Sequence, residues 1–470
     1  MVEHPLARVV RPAIWGDPDE PIRDIARKLD ATDQSCLLVA AGSGVGIVTD
    51  HDYRRMVATG AVGIDAPLSS LATVPALSVD QGATAAVALL RMVEHGVHHL
   101  VVLGSDGTPV GVVRAVDLAQ FEVRDPLLAR AAIDRAASIE DLAEAARYVL
   151  TTVTDLRRNG APAAHAGAMH AALVDAVLRR ALALRADPAL ADVSWLLLGS
   201  FARREPLPSS DVDTALLWPD RASAASELDA GDDIRSAASK VLEDLRTCGL
   251  RPCSHGANAD NPLFSRSQSE WQLAARTWTE ESTVEGALLL SAMVTDSRPV
   301  TRIALGRHIT DALMTRTRTS QFLRALLDEA IRWRPSTGLM RDFIVRRVGP
   351  YRSQFDLKRG GLVPVVALGR WIAVVTGVPD GNTVERLNRG VQSGLISDDE
   401  RYTLAAGFEN IYTVLYDLEA QALRSGAATT TFVNPRDLNS LTRRHLRETL
   451  RAISAVQRRV DESWIRRLGT

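Results

Sequence analysis

With 470 residues, of which 46% are hydrophobic and 24% charged, the chain has room for roughly two to four folded domains and is not a disordered one. Basic and acidic side chains nearly cancel, 55 against 57, which argues against a nucleic-acid binder. Cys36, Cys248 and Cys253 lack metal-ligand spacing and are too few for a disulfide framework. The start, Met-Val-Glu-His-Pro, has no signal-peptide layout, and no apolar run approaches ~18 residues, so a cytoplasmic protein with no membrane span is expected.

Residues 1–122 contain an internal repeat. Leu37-Leu38-Val39, followed by Gly46-Ile47-Val48-Thr49-Asp50-His51-Asp52, returns as Leu100-Val101-Val102, followed by Gly111-Val112-Val113-Arg114-Ala115-Val116-Asp117. Each copy reads helix, strand, turn, strand, helix. The first helices are predicted over 21–29 and 83–95, and the turns at Gly42-Ser43-Gly44 and Ser105-Asp106-Gly107. One copy is too small to bury its own core, so the two should pack together. Asp52 and Asp117 can each cap the helix that follows. His98 and His99 point to opposite faces of a strand, which makes them poor joint metal ligands and favours a structural role.

Residues 123–187 read as a helical connector. Ser138-x-x-Asp141 forms a capping box, Asn159-Gly160-Ala161-Pro162 breaks the run, and a second helix is predicted over 166–185. Packing is the reading preferred for it over signal transmission.

Residues 188–304 hold the motif that carries chemistry. The apolar run Trp195-Leu196-Leu197-Leu198 stops at Gly199-Ser200, and a second run, Thr214 to Trp218, begins directly after Asp211-Val212-Asp213. On a strand Asp211 and Asp213 share one face while Val212 packs on the other. Two close carboxylates repel unless a cation lies between them, and oxygen ligands of this kind suit Mg²⁺. Gly-Ser at a strand end can bring backbone N–H groups against a phosphate. Together they form the minimum apparatus for moving a nucleotidyl group; the bland alternative is a strand whose aspartates sit at a turn. A helix is predicted over 234–247. Trp271 and Trp278 share a helix face, which is more often core than ligand stacking. Asp260, in a turn-like Asn-Ala-Asp-Asn-Pro stretch, is the nearest candidate for a third carboxylate.

Residues 305–470 read as an antiparallel helical bundle, with helices over 321–333, 363–375, 383–390, 398–422 and 439–466. Asp356-Leu357-Lys358-Arg359-Gly360-Gly361 places charge directly before a helix. The arginines of the last helix (Arg443, Arg444, Arg447, Arg451, Arg458, Arg459) read as a solvated face.

The N-terminal half resembles a CBS-domain pair through Gly46-Ile47-Val48-Thr49-x-x-Asp52. The resemblance implies that Thr49 and Asp52 hold the ribose of an adenine nucleotide. In the second copy Arg114 replaces the Thr and only Asp117 matches. The whole layout resembles the bacterial CBS-domain-containing nucleotidyltransferases, relatives of the uridylyltransferase that modifies the nitrogen-signalling PII protein. Gly199, Ser200, Arg203, Glu205, Asp211 and Asp213 match the central motif, with Pro206 and Thr214 departing from it. Cys253, Asn261-Pro262, Trp271, Trp278, Asp296-x-Arg298, Asp356-Leu357-Lys358-x-Gly360-Gly361 and Arg370 match further on. This implies a multidomain α/β plus α fold: an α+β CBS pair, a mixed α/β nucleotidyltransferase-like domain and the helical bundle. It also implies transfer of a nucleotidyl group from an NTP to a small protein or small molecule, regulated by an adenine nucleotide, in a homodimer. Asp211 and Asp213 would hold Mg²⁺, Gly199 and Ser200 bind phosphate, Arg203 or Arg204 neutralise it, and Lys358 and Arg370 either face nucleotide or acceptor or form structural salt bridges. The competing reading is a nucleotide-sensing signal-transduction protein without catalysis.

Overall fold

The computed structural model describes residues 6, 9–32, 34–42, 44–118, 125–220, 224–280, 286–314, 319–335 and 351–468. The N-terminal pentapeptide, Ser43 of the first turn and the expected boundary at 122–123 lie outside them. The chain divides into two compact units, Met1–Ala131 and Ala132–Thr470.

The first unit is the repeat. β1 (Trp15–Gly16), α1 (Ile22–Thr32), β2 (Cys36–Ala41), β3 (Gly44–Thr49) and α2 (Asp50–Thr59) form one copy. β4 (Ser78–Asp80), α3 (Ala85–His95), β5 (His99–Leu103), β6 (Pro109–Arg114) and α4 (Ala115–Leu118) form the other. In each three-stranded sheet the first strand runs parallel to the second and the second antiparallel to the third. The apolar runs reflect burial on both faces. Leu37 and Val39 of β2 pack on Ile22, Ile25 and Leu29 of α1, while Cys36 and Leu38 pack with Val101 and Val112 of the other copy. His99 is structural: its Nε2 lies 2.9 Å from the Ser35 hydroxyl, joining the copies.

The second unit begins within α5 (Asp125–Arg135) and continues through α6 (Ile139–Arg158) and α7 (Ala163–Arg185). The predicted cap is present, with the Asp141 N–H donating to Ser138 Oγ at 3.1 Å. α7 is more than a connector. Residues on several of its faces, among them Ala166, Leu173, Asp175, Ala176 and Val177, are buried, which makes it a core helix of this unit. β7 (Ser194–Leu198), α8 (Gly199–Ala202), β8 (Thr214–Trp218), α9 (Ala224–Thr247), β9 (Ser265–Ser267), α10 (Gln268–Glu280), α11 (Ala287–Thr295) and β10 (Ser297–Pro299) follow. Their sheet has the order β10-β7-β8-β9, antiparallel except between β8 and β9. Trp271 and Trp278 lie edge to face in its core, 6.2 Å apart, and the Trp271 indole donates to the Leu216 carbonyl.

After α12 (Ile303–Gly306) and α13 (His308–Met314) come the bundle helices α14 (Ser320–Arg332), α15 (Val363–Thr376), α16 (Thr383–Gln392), α17 (Asp398–Arg424) and α18 (Ser440–Leu468). Two short strands, β11 (Phe355–Asp356) and β12 (Phe432–Val433), pair beside them. α16 and α17 begin with capping boxes, Asn382 with Glu385 and Ser397 with Glu400. On α18, Leu446, Leu450, Ile453, Val456 and Val460 are buried, at the spacing of one helix face. Sheet and bundle share one hydrophobic core, from Leu196 and Leu217 through Trp271 to Trp371 and Tyr416. One expectation is corrected: the helical stretch Lys358–Thr376 is long and apolar enough to cross a membrane by length and composition. It is 67% buried within the bundle, which accounts for its apolar sequence.

Candidate active site

The motif residues converge at the end of β7. Gly199 has φ +59°, a left-handed conformation that glycine adopts at no steric cost. The turn brings its backbone against Asp213, whose Oδ2 would lie 2.9 Å from a Cβ at position 199. Half-buried Ser200 follows in the same short turn. Asp211-Val212-Asp213 lies just ahead of β8 rather than inside it. Extended pairing nevertheless continues, since the Asp213 carbonyl accepts the Leu198 N–H at 2.9 Å and Val212 bridges Pro252. Val212 is buried, so alternation leaves both carboxylates on the other side, as the sequence predicts.

Asp211 accepts the Ser254 hydroxyl at 3.1 Å and lies 3.5 Å from Arg251 Nε. Burial raises the Asp213 carboxyl above its ordinary range and the charge of Asp211 adds to this; the Cys253 thiol, Lys358 and Arg203 act the other way. A buried carboxylate beside a partly exposed one is a donor set that a hard divalent cation relieves, and Mg²⁺ commonly takes only one or two protein carboxylates beside substrate phosphates. The two residues therefore fit that ion. No third His, Cys, Asp or Glu completes a metal-holding group among the described residues. Asp260 stays in its turn, half-buried. The parallel bridge between Val212 and Pro252 instead sets Cys253 beside Asp213. Its thiol is pushed up to about 11, by burial first and then by Asp213.

The bundle supplies two more groups. Lys358 opens a single π-helical turn, Lys358–Leu362, ahead of α15, and its charge acts on both Asp213 and Glu419. Glu419 of α17 is 2% exposed and accepts the Ser209 N–H at 2.9 Å, two residues before Asp211; burial raises its carboxyl. Glu419 carries no local signature in a long helix, and the sequence reading missed it.

Three expectations change. The Gly199 N–H, expected to face phosphate, donates to the Asp296 carbonyl at 2.9 Å. Arg203, expected at the phosphates, is 7% exposed: Nε donates to Glu205 at 2.9 Å and Nη1 to Asp296. A guanidinium buried beneath the turn must be paired there. Arg370 likewise donates to Asp296 and does not face the carboxylate pair as a free cation. Arg204 has φ +62° just after the turn. Thr214 is structural, its hydroxyl accepting the Ala259 N–H at 2.9 Å.

In the first unit Thr49 and Asp52 are brought together as a cap. Asp52 Oδ2 accepts the Thr49 N–H at 2.9 Å and its hydroxyl at 2.8 Å. Asp117 differs: Arg114 donates to it through Nε at 2.9 Å and Nη2 at 3.0 Å, and Arg11 through Nε at 2.8 Å. Burial raises its carboxyl, but these bonds hold it below the usual range. These bonds, with the Arg114 N–H donating at 3.3 Å, favour the helix-capping reading of Asp117 over a ligand-binding one.

Fold and site together define a nucleotidyltransferase-type domain joined to a CBS module. Family comparisons agree: residues 68–124 match the CBS domain, 147–285 the "Putative nucleotidyltransferase DUF294" family, and 320–464 the "Putative nucleotidyltransferase substrate binding domain". The chain belongs to this CBS-domain-containing DUF294 family. No curated protein matches it. Among solved structures, a CBS domain protein from Pyrobaculum aerophilum, complexed with AMP, is 25% identical over 24% of this chain and 87% of that one, with a TM-score of 0.22. A "putative signal-transduction protein with CBS domains" from Burkholderia ambifaria is 23% identical over 25% of this chain and 86% of that one, with a TM-score of 0.23. An uncharacterised conserved protein from Pyrococcus horikoshii is 20% identical over 26% and 94%, TM-score 0.24.

Proposed function

We propose that the second unit is a Mg²⁺-dependent nucleotidyltransferase, and that the CBS pair binds an adenine nucleotide that regulates it. The observation that carries this is the contact of the Gly199 turn with Asp213, beside Asp211 and within reach of the charge of Lys358. Asp211 and Asp213 would hold Mg²⁺, which when bound supplies positive charge at the phosphates. Ser200 would meet a phosphate oxygen through its hydroxyl and N–H, and Lys358 would offset the negative charge that an NTP brings. The acceptor oxygen forms a bond to the α-phosphorus as the bond to pyrophosphate breaks, and the acceptor's proton passes to solvent. The acceptor is a small protein, by likeness to the PII-modifying enzyme, or a small molecule. In the first unit Thr49 and Asp52 are the ribose-binding pair, and the copy containing Arg114 and Asp117 is closed to ribose by its own arginines.

One observation favours a second reading, a nucleotide-binding regulator without transfer: Cys253, not a carboxylate, neighbours Asp213. The same experiment separates the two. Purified protein is offered labelled ATP, UTP, CTP and GTP with Mg²⁺ and cell extract, beside an Asp211→Ala/Asp213→Ala variant. Transfer lost in the variant supports the enzyme. Calorimetric binding of nucleotide without transfer under any condition supports the regulator. Transfer that persists in the variant removes the assigned site.

A further inference from the structure

The geometry points to Asp296 as the positioning residue that fixes the nucleotide-binding turn to the helical bundle, an inference that rests on the transferase reading of the turn. Asp296 lies between α11 and β10 and is 1% exposed. It holds the turn through both of its parts. Its carbonyl accepts the Gly199 N–H at 2.9 Å, and its carboxylate accepts Arg203, which ends the turn. The same carboxylate accepts Arg370 of α15 and Arg386 of α16. Arg203 also bonds Glu205 at 2.9 Å, and Glu205 accepts the N–H and hydroxyl of Thr383, at 2.6 and 2.7 Å, at the start of α16.

One buried carboxylate is thus the common partner of three guanidinium groups from the turn and from two bundle helices. Arg203 and Arg386 are almost wholly buried, so each must be paired where it lies. Three arginines face two carboxylates, and the charge of Arg203 also reaches Asp213. A change in α15 or α16 therefore reaches the turn through Asp296, and Glu205 gives α16 a second path to Arg203. The two motif residues Arg203 and Glu205 serve this linkage, not phosphate.

The test uses the full chain and hydrogen exchange, which needs no activity. Asp296→Asn keeps the shape but removes the charge; Asp296→Asn/Arg370→Gln removes one charge of each sign. In the single variant, amides of a peptide covering 199–205 should exchange about tenfold faster or more, the loss expected of a charge-assisted hydrogen bond. β5, β6 and α18 should exchange unchanged, and the double variant should exchange more slowly at 199–205 than the single one. Calorimetry with Mg²⁺ and ATP should show weaker binding in the single variant and partial rescue in the double. Unchanged exchange at 199–205, equal acceleration throughout the second unit, loss of fold, or a double variant worse than the single would each overturn the proposal. Wild-type protein that binds no nucleotide would remove the transferase reading, while the exchange data still decide the linkage.

Discussion

Lowering the pH from 7 to 5 should destabilise the second unit through His170. This residue lies on α7, 2% exposed, its ring centroid 5.3 Å from that of Phe201, which follows Ser200 in the turn, in an edge-to-face arrangement. Its Nδ1 has no hydrogen-bond partner among the described residues, and burial lowers its pKa from 6.5 to about 4. In the unfolded chain the imidazole protonates near 6.5; in the folded chain it resists down to about 4. Between those values the unfolded state binds more protons, so stability falls as pH falls through this window and is fully present above it. At pH 5 the penalty is about 2 kcal/mol relative to neutral pH, because each tenfold difference in proton affinity between the two states is worth about 1.4 kcal/mol. Urea unfolding followed by tryptophan fluorescence suits the measurement, since the buried Trp195, Trp218, Trp271 and Trp371 all lie in this unit. His170→Phe should lose that part of the pH dependence while other titrating groups continue to contribute. Equal losses between pH 7 and 5 in wild type and variant would refute the reasoning.

Gly199→Ala should strain the left-handed turn by about 1–2 kcal/mol and push against Asp213 Oδ2. Calorimetry should then find Mg²⁺–nucleotide binding at least about tenfold weaker, as the turn and the carboxylate are forced apart; unchanged binding would place the ligand elsewhere. Tyr412→Phe should cost about 1–3 kcal/mol in urea unfolding, because the buried hydroxyl donates to the Pro206 carbonyl at 2.6 Å and leaves it unsatisfied when removed. Tyr402→Phe, at a position 67% exposed, should change stability by less than about 0.5 kcal/mol.

Much of the fold was legible where one segment carries its own signal. The repeat, the capping residue Ser138 and the helices expected from 383 and 398 all rest on short-range patterns. The Gly199-Ser200 and Asp211-Val212-Asp213 stretches were legible for the same reason: strand alternation and a glycine turn are local. A third carboxylate was not legible, because nearness in sequence to the motif, as with Asp260, says nothing about strand register. The bridge from Val212 to Pro252 brings Cys253 to Asp213 instead. The bundle helix expected over 363–375 lies in a stretch, Lys358–Thr376, whose composition also suits a membrane span, because both solvents select the same side chains.

The sequence by itself determined the two carboxylates, the turn that meets them and the helices that follow, since each depends on neighbours a few residues away. Only the tertiary structure decided which charges serve the site. Arg203 read as a ligand-binding group until burial paired it with Asp296. Glu419, unforeseen, joined the site from a distant helix, where the charge of Lys358 also acts on it. An ionised side chain takes its role from the charges and solvent around it, and those neighbours are set by long-range packing that no local pattern records.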